Sequence, residues 1–294
     1  MRQEVALLGA LASGGLVAVQ QRVNGELGTD LHDPLLAALV SFGTGLLLMS
    51  VLVLRRIELL PRLRAVPWWT RLGGVGGATL VAVGATAAPK IGVALLTVGL
   101  VSGTTVAALA VDRAGLAPGG HRPLTTPRLA GAGLCLLAIV LSAREGLRSA
   151  SVLLLCLVVL AGTLISVQQA LNSQVRVATD ATVATFLNFT VGTTALLTCL
   201  TVQALAGRVH ADRWPSQPWL YLGGAMGCVF IAIAAVAVGT LGVLRFGLAT
   251  TAGQLVGGVL LDLDRGVAAT TVVAVLLTLA AVAVSGRSRQ PVTA

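Results

Sequence analysis

The chain of 294 residues is 56% hydrophobic and only 11% charged, with a mean hydropathy of +0.92. A soluble domain of this length needs far more charge on its surface, so the composition excludes a soluble protein and indicates a membrane protein. The formal net charge of +9 comes from arginines between the apolar runs, without interleaved aromatic residues. This pattern is typical of membrane loops and argues against nucleic-acid binding.

Ten apolar runs are long enough to cross a bilayer as helices of roughly 17 to 25 residues. They lack the alternation of barrel strands, so the sequence predicts an all-α polytopic membrane protein with ten transmembrane helices. In chain order the runs fall at about 4–24, 34–54, 72–89, 91–111, 127–143, 151–172, 181–205, 218–238, 240–261 and 266–285.

The second half of the chain repeats motifs of the first at an offset of 147 to 150 residues. The segment from Val19 to Asn24 (VQQRVN) corresponds to that from Val167 to Asn172 (VQQALN). Ser-Phe at 41–42 corresponds to Asn-Phe at 188–189, and Leu-Gly-Gly at 72–74 recurs at 222–224. We therefore predict two five-helix repeats, residues 1–148 and residues 149–294, which together form one membrane domain.

An odd number of helices in each repeat inverts the second repeat relative to the first. The pseudo-two-fold axis then lies in the membrane plane, and equivalent polar residues surround a common central cavity. Such a cavity opens to either side when the two halves exchange conformations, which is the principle of alternating access.

The loops predict an orientation. With a cytoplasmic N-terminus, 12 of the 20 basic residues lie on the cytoplasmic side, 7 lie on the opposite side, and Arg245 falls inside a helix. This distribution favours two cytoplasmic termini, although nearly all of the bias comes from the first repeat.

The motifs together resemble the YdcZ-like branch of the drug/metabolite transporter superfamily, over essentially the whole chain. They are the Gln…Asn pair that ends the first helix of each half, Ser-Phe-x-x-Gly, Leu-Gly-Gly, Gly253-Gln254, and the segment from Asp112 to Gly115. The resemblance implies a bacterial inner-membrane protein in which helices one to four and six to nine enclose the cavity. Helices five and ten are then expected at the back or at a dimer contact. Three positions depart from the pattern: Thr104 stands opposite Gln254, Arg22 interrupts the first motif, and Arg245 lies inside the ninth helix where the first copy has Leu95.

Amide side chains are the main candidates for a substrate site. Residues four apart, such as Gln20 and Asn24, project from one helix face, and amides offer both donors and acceptors to a small polar or cationic solute. The alternative is that the amides join helices through interhelical hydrogen bonds and that the phenylalanines belong to the core. The candidate substrate-binding residues are Gln20, Gln21, Asn24, Gln168, Gln169, Asn172, Asn188, Gln254, Phe42 and Phe189.

Arg245 is a possible charge site, with three interpretations open. Its side chain extends to the membrane interface, attracts anions into the cavity, or contacts a lipid headgroup.

No nucleophile–base pair, metal-ligand cluster or phosphate-binding loop appears in the sequence, so we expect neither an enzyme nor a cofactor. The predicted function is a secondary transporter of a small polar metabolite or organic cation, and export follows from the superfamily by analogy. A flippase for lipid headgroups or lipid-linked sugars and a non-transporting scaffold subunit are the alternatives. The expected partners are a small solute and the lipid bilayer but no nucleic acid, and both a monomer and a homodimer remain open.

The sequence also predicts how transport is driven. None of the eleven acidic residues is placed mid-helix, and the stretch from Ala10 to Ala18 lacks the glutamate that the small multidrug exporters carry in their first helix. Without a buried carboxylate to exchange a proton for a cation, we expect binding that changes little with pH. Transport is then uncoupled or driven by the charge of the solute. Glu4 is the exception if the first helix lies deeper in the bilayer.

Overall fold

The computed structural model describes residues 2–142, 152–207, 214–261 and 269–286. These residues form helices, and none of them lies in a strand. The prediction of an all-α fold is confirmed for these residues. The α-helices are α1 (Gln3–Asp30), α2 (Pro34–Val53), α3 (Gly74–Ala114), α4 (Thr126–Ser142), α5 (Val152–Ala178), α6 (Ala181–Leu205), α7 (Gly223–Leu241), α8 (Val243–Leu261) and α9 (Ala269–Ser285). The 3-10 helices are η1 (Leu54–Ala65), η2 (Trp68–Gly73) and η3 (Pro218–Tyr221).

Within the described ranges, six helical segments are long and apolar enough to cross a membrane. They coincide with the predicted first, second and sixth to ninth spans. The segments are Gln3–Asp30, Pro34–Ala65, Val152–Ala178, Ala181–Leu205, Pro218–Leu241 and Val243–Leu261.

Two aspartates begin corresponding helices. Asp33 accepts hydrogen bonds from the backbone N–H groups of Leu35 (2.9 Å) and Leu36 (3.1 Å) at the start of α2. Asp180 accepts one from Val183 N–H (2.8 Å) at the start of α6. Each carboxylate satisfies free N–H groups and is stabilised by the positive end of the helix dipole. Since 180 − 33 = 147, the two caps recur at the motif offset.

α3 contains the predicted third and fourth spans in one element of 41 residues. Gly77 N–H donates to Gln168 Oε1 (2.6 Å), and Ser166 Oγ donates to the Thr104 carbonyl (2.7 Å). A straight helix would separate Gly77 from Thr104 by about 40 Å, at about 1.5 Å per residue. Both nevertheless contact α5 at positions two residues apart. α3 therefore turns back on itself between these residues, and both of its arms lie along α5.

The main helix pairs join the first half of the chain to the second. α3 packs on α5, α1 packs on α8 and α7, α2 packs on α6, and α4 packs on α9. The largest core cluster is rich in alanine and draws on α1, α3, α4, α5, α7, α8 and α9. Such small residues let helices approach closely. The two halves therefore share one core.

One helix crossing occurs twice. A Cβ on Gly253 of α8 would overlap the carbonyl oxygen of Leu11 on α1, and a Cβ on Gly103 of α3 would overlap the carbonyl oxygen of Val159 on α5. Gly103 and Gly253 are 150 residues apart, and Leu11 and Val159 are 148 apart. Glycine is required at both crossings because backbone atoms occupy the space of a side chain.

Candidate functional site

The second amide motif is buried on one face of α5. Gln168 is 3% exposed and Asn172 is 4% exposed. Gln168 Oε1 accepts the Gly77 N–H, and Asn172 Nδ2 donates to Asn188 Oδ1 on α6 (2.8 Å). Three of the predicted site residues thus meet where α3, α5 and α6 pack together.

The first motif makes corresponding contacts from α1. Gln20 Nε2 donates to the Gly223 carbonyl (2.9 Å) at the start of α7. A Cβ on Gly223 would overlap Asn24 Oδ1, just as a Cβ on Gly73 would overlap Asn172 Oδ1. Asn24 Oδ1 is buried and has no hydrogen-bond partner among the described residues.

Phe42 and Phe189 connect the two motifs. Their ring centroids are 5.2 Å apart at an interplanar angle of 44°. A Cβ on Gly77 would lie 3.1 Å from Phe42 Cζ and 3.3 Å from Gln168 Oε1, and a Cβ on Gly227 would lie 3.1 Å from Phe189 Cζ and 2.8 Å from Gln20 Nε2. The phenylalanine pair therefore lies between the two glutamines, and these four side chains, with Asn24, Asn172 and Asn188, are called the amide cluster below.

The remaining predicted amides differ in their surroundings. Gln21 is exposed, whereas its counterpart Gln169 is only 4% exposed, and Gln169 Oε1 has no hydrogen-bond partner within the described ranges. Gln254 is half-buried on α8, beside the close crossing with Gly14 of α1. Its counterpart Thr104 donates to the carbonyls of Leu100 (2.8 Å) and Gly162 (3.2 Å). The structure therefore places Gln169 inside the bundle and Gln21 on its surface.

Arg245 lies at an end of the bundle. The apolar run predicted a helix from residue 240, but Gly242 has φ +79° and α8 begins at Val243. Arg245 is therefore in the first turn of α8, not about five residues inside it. Its Nη1 lies 3.4 Å from Gln3 Oε1, and its Nη2 would lie 2.7 Å from a Cβ on Gly286.

A buried charged group at the same end was missed by the sequence reasoning. Asp112 is 1% exposed. Its Oδ1 accepts from Val243 N–H (2.7 Å), and its Oδ2 accepts from Leu244 N–H (3.1 Å) and pairs with Arg128 Nη2. A carboxylate just before Gly115, in a chain with so few acids, is the signal that points to it. Asp112 thus caps α8 from the opposite half of the chain.

Arg122 makes the complementary contact with the end of α7. Its Nη2 donates to the carbonyls of Thr240 (3.0 Å) and Gly239 (3.3 Å), and its backbone N–H donates to the Asp112 carbonyl (2.8 Å). Burial lowers the pKa of Arg122, while the charge of Asp112 opposes that shift. Arginine is not deprotonated in proteins, so the Arg122 guanidinium acts as a cation. A cation at a helix C-terminus and an anion at the next N-terminus both match the helix dipoles.

The chemistry of the amide cluster is that of hydrogen bonding. Amide oxygens and N–H groups from both halves meet around two aromatic faces, which suits recognition of a polar solute. No group of three or more His, Cys, Asp or Glu side chains among the described residues is placed to hold a metal ion.

Comparisons with known proteins identify a matching family and a similar solved structure. The family model described as "Putative inner membrane exporter, YdcZ" matches residues 5–141 and 153–284. A search of curated proteins finds no significant match. One solved structure, described only as "Crystal structure of protein", is 18% identical and superposes with a TM-score of 0.66, covering 96% of this chain and 96% of the other. At that identity the likeness shows the fold alone.

The matched regions span nearly the whole chain, from the first turn of α1 to the end of α9. The chain therefore belongs to the YdcZ family of drug/metabolite transporters, which are multi-pass inner-membrane proteins of the exporter type.

Proposed function

We propose that the protein is a secondary transporter that exports a small polar metabolite or organic cation by alternating access, with the amide cluster as its solute site. The observation that carries this proposal is the meeting of Gln20 and Gln168, from opposite halves, on either side of the Phe42–Phe189 pair. Helices from both halves surround this point, as a site that is opened alternately to each side requires.

The proposed architecture is a pair of inverted five-helix repeats, residues 1–148 and 149–294, with both termini in the cytoplasm. Three observations support the repeats. The helix caps, glycine crossings and amide contacts recur at offsets of 147 to 150 residues, each half packs mainly on the other, and the family model matches two regions of the chain. The orientation rests on the arginine distribution alone.

The Phe42–Phe189 pair is the proposed barrier between the two motifs. The rings contact each other, and each also lies against the glycine that faces the glutamine of the other half. A solute that enters from one side would separate the rings and bind between the two amides. Aromatic faces contribute to binding through dispersion and, for a cation, through attraction to the ring quadrupole.

One observation favours the alternative that the protein is a non-transporting scaffold subunit. Gln20 and Gln168 each hydrogen-bond to the backbone of the opposite half, as helix-joining amides do. Transport is favoured by the buried oxygens of Asn24 and Gln169, which have no partner among the described residues. Buried polar atoms are almost always satisfied, so these two require water or a solute. A flippase would need a lateral opening between helices.

The test is uptake or resistance across a panel of metabolites and organic cations, in cells that express the wild type or Gln20→Ala/Gln168→Ala. We expect at least a tenfold loss of transport at equal amounts of membrane protein, since about 1.4 kcal/mol of lost binding gives a factor of ten. Gln203→Ala, in the last turns of α6, is the matched control and should transport normally. A double variant that only lowers the amount of folded protein, with normal transport per molecule, would show that the two glutamines join helices and do not bind the solute, whereas a wild type that transports nothing in the panel would support the scaffold.

Solute binding is expected to change less than about threefold between about pH 5.5 and about pH 8.5, because the carboxylates that the structure describes lie at helix ends or in η1 and not in the amide cluster. The described carboxylates lie in terminal turns, at caps or in η1: Glu4, Glu26, Asp30, Asp33, Glu58, Asp112 and Asp180. Glu145, Asp212, Asp262 and Asp264 fall outside the described residues. Equilibrium binding of the transported solute to purified protein measures this. A tenfold loss of cation affinity on acidification that Glu4→Gln abolishes would reveal proton coupling.

A further inference from the structure

We propose that Asp112, Arg122 and Arg128 form a clamp that closes the solute path at one end of the protein, with Ser173 directly behind it. This inference rests on the proposed transport function. It assigns positioning roles to charged residues that lie outside the amide cluster.

The clamp joins the end of α3, the α3–α4 connection and the start of α4 to the turn between α7 and α8. Asp112 holds the first two N–H groups of α8, and Arg122 holds the last carbonyls of α7. The α3–α4 connection comes from the first half of the chain and the α7–α8 turn from the second. Opening this end requires the two to separate, and these bonds are the ones that would break.

The fit of the two segments is close. Gly242 has φ +79°, and a Cβ there would lie 2.8 Å from Arg122 Nε and 2.9 Å from Asp112 Oδ2. A Cβ on Gly119 would lie 2.6 Å from the Gly239 carbonyl oxygen. The backbone of each segment therefore fills the space of a side chain on the other, as expected of a contact that must exclude water.

A polar stripe on α5 leads from the amide cluster to the clamp. Ser173 is fully buried and would lie 3.7 Å from a Cβ on Gly239, the residue whose carbonyl Arg122 holds. Gln169 lies one turn earlier on the same face, and Asn172 of the amide cluster, three residues after Gln169, is its neighbour on the helix surface. Ser173 Oγ and Gln169 Oε1 are both buried without a hydrogen-bond partner among the described residues, as is Arg122 Nε.

These unsatisfied groups are costly in the closed bundle, and water or solute that reaches them in the open state lowers the free energy of that state. Their order along the bundle, from Gln169 to Ser173 to Arg122, defines the proposed path of the solute. The path leads to the end where Gln174 of α5 donates to the Leu116 carbonyl and Arg245 contacts Gln3. By the proposed orientation this is the cytoplasmic end, so the clamp controls entry of the solute that is exported.

The test measures access to Ser173 with a membrane-impermeant maleimide. The protein, purified in nanodiscs, carries Ser173→Cys, and its native cysteines are replaced by alanine. The clamp should keep labelling slow, and Arg122→Gln or Asp112→Asn should raise the labelling rate about tenfold or more by shifting the population to the open state. If Asp112→Asn does not fold, Arg122→Gln decides the outcome alone.

Two controls separate gating from loosened packing. Arg113→Gln removes an exposed charge from the same connection and should leave labelling of Ser173→Cys slow. A second variant keeps Cys135, which is fully buried on α4, as its only cysteine and reports labelling at a site away from the clamp. Unchanged labelling at position 173 in the clamp variants, or an equal rise at Cys135, would overturn the clamp. Labelling needs no solute, so the labelling test can be interpreted even if the transport test fails.

Discussion

Replacing Gly253 with alanine should destabilise the protein by about 3 kcal/mol or more, because the new methyl group has no space. Its Cβ would overlap the Leu11 carbonyl oxygen and lie 2.8 Å from the Leu11 carbonyl carbon and 3.1 Å from the Gly14 Cα. Backbone atoms of α1 cannot rotate away as a side chain would, so α1 and α8 must move apart. That separation also disturbs the amide cluster, since Gln20 lies further along α1.

Gly258 on the same helix is the matched control. Nothing lies within 4 Å of a Cβ there, so Gly258→Ala should be neutral or stabilising by up to about 1 kcal/mol through helix propensity. The measurement is the fraction of each variant that stays monodisperse in detergent after heating. Equal melting temperatures of the Gly253 and Gly258 variants would show that α1 and α8 leave space for a methyl group at Gly253. Gly103→Ala, at the corresponding crossing of α3 and α5, should act in the same direction.

The parts of the fold that follow from hydropathy and repetition could be predicted from the sequence. Apolar length sets where helices run, and the offset of 147 to 150 residues related Gln20 to Gln168 and Phe42 to Phe189 before any contact was known. The hydrogen bonds from the two glutamines to the opposite half depend on packing, and no local pattern specifies packing. The same motif therefore left helix joining open as an alternative to solute binding.

Other features depend on a single backbone angle or on a distant partner. The apolar run continues through Gly242, so hydropathy could not show that its positive φ ends α7 and moves Arg245 to the first turn of α8. Asp112 could be placed in a motif but not given a role, because its partners, Arg128 and the N–H groups of α8, are 16 and about 131 residues away. Gln21 and Gln169 occupy equivalent positions in the repeat, yet one is exposed and the other buried. Sequence equivalence therefore does not ensure equal surroundings.

The buried ion pair gives a second large effect. Asp112→Ala should cost about 3–5 kcal/mol, because it leaves Arg128, only 8% exposed, without its counter-charge and removes the acceptor of two N–H groups of α8. Arg56→Ala is the contrasting case. Arg56 pairs with Asp180 at 3.3 Å but its side chain is 54% exposed, so its loss should cost less than about 1 kcal/mol.

The double variant Asp112→Ala/Arg128→Met separates the charge from the cap. Removing both charges eliminates the unpaired guanidinium, so the double variant should be more stable than Asp112→Ala alone. It should remain less stable than the wild type, because the N–H groups of Val243 and Leu244 still lack an acceptor. Thermal melting of the four proteins of this cycle in one detergent measures the coupling. Strictly additive losses would mean that Arg128 is solvated without Asp112, and the cost of Asp112→Ala would then come from the α8 cap alone.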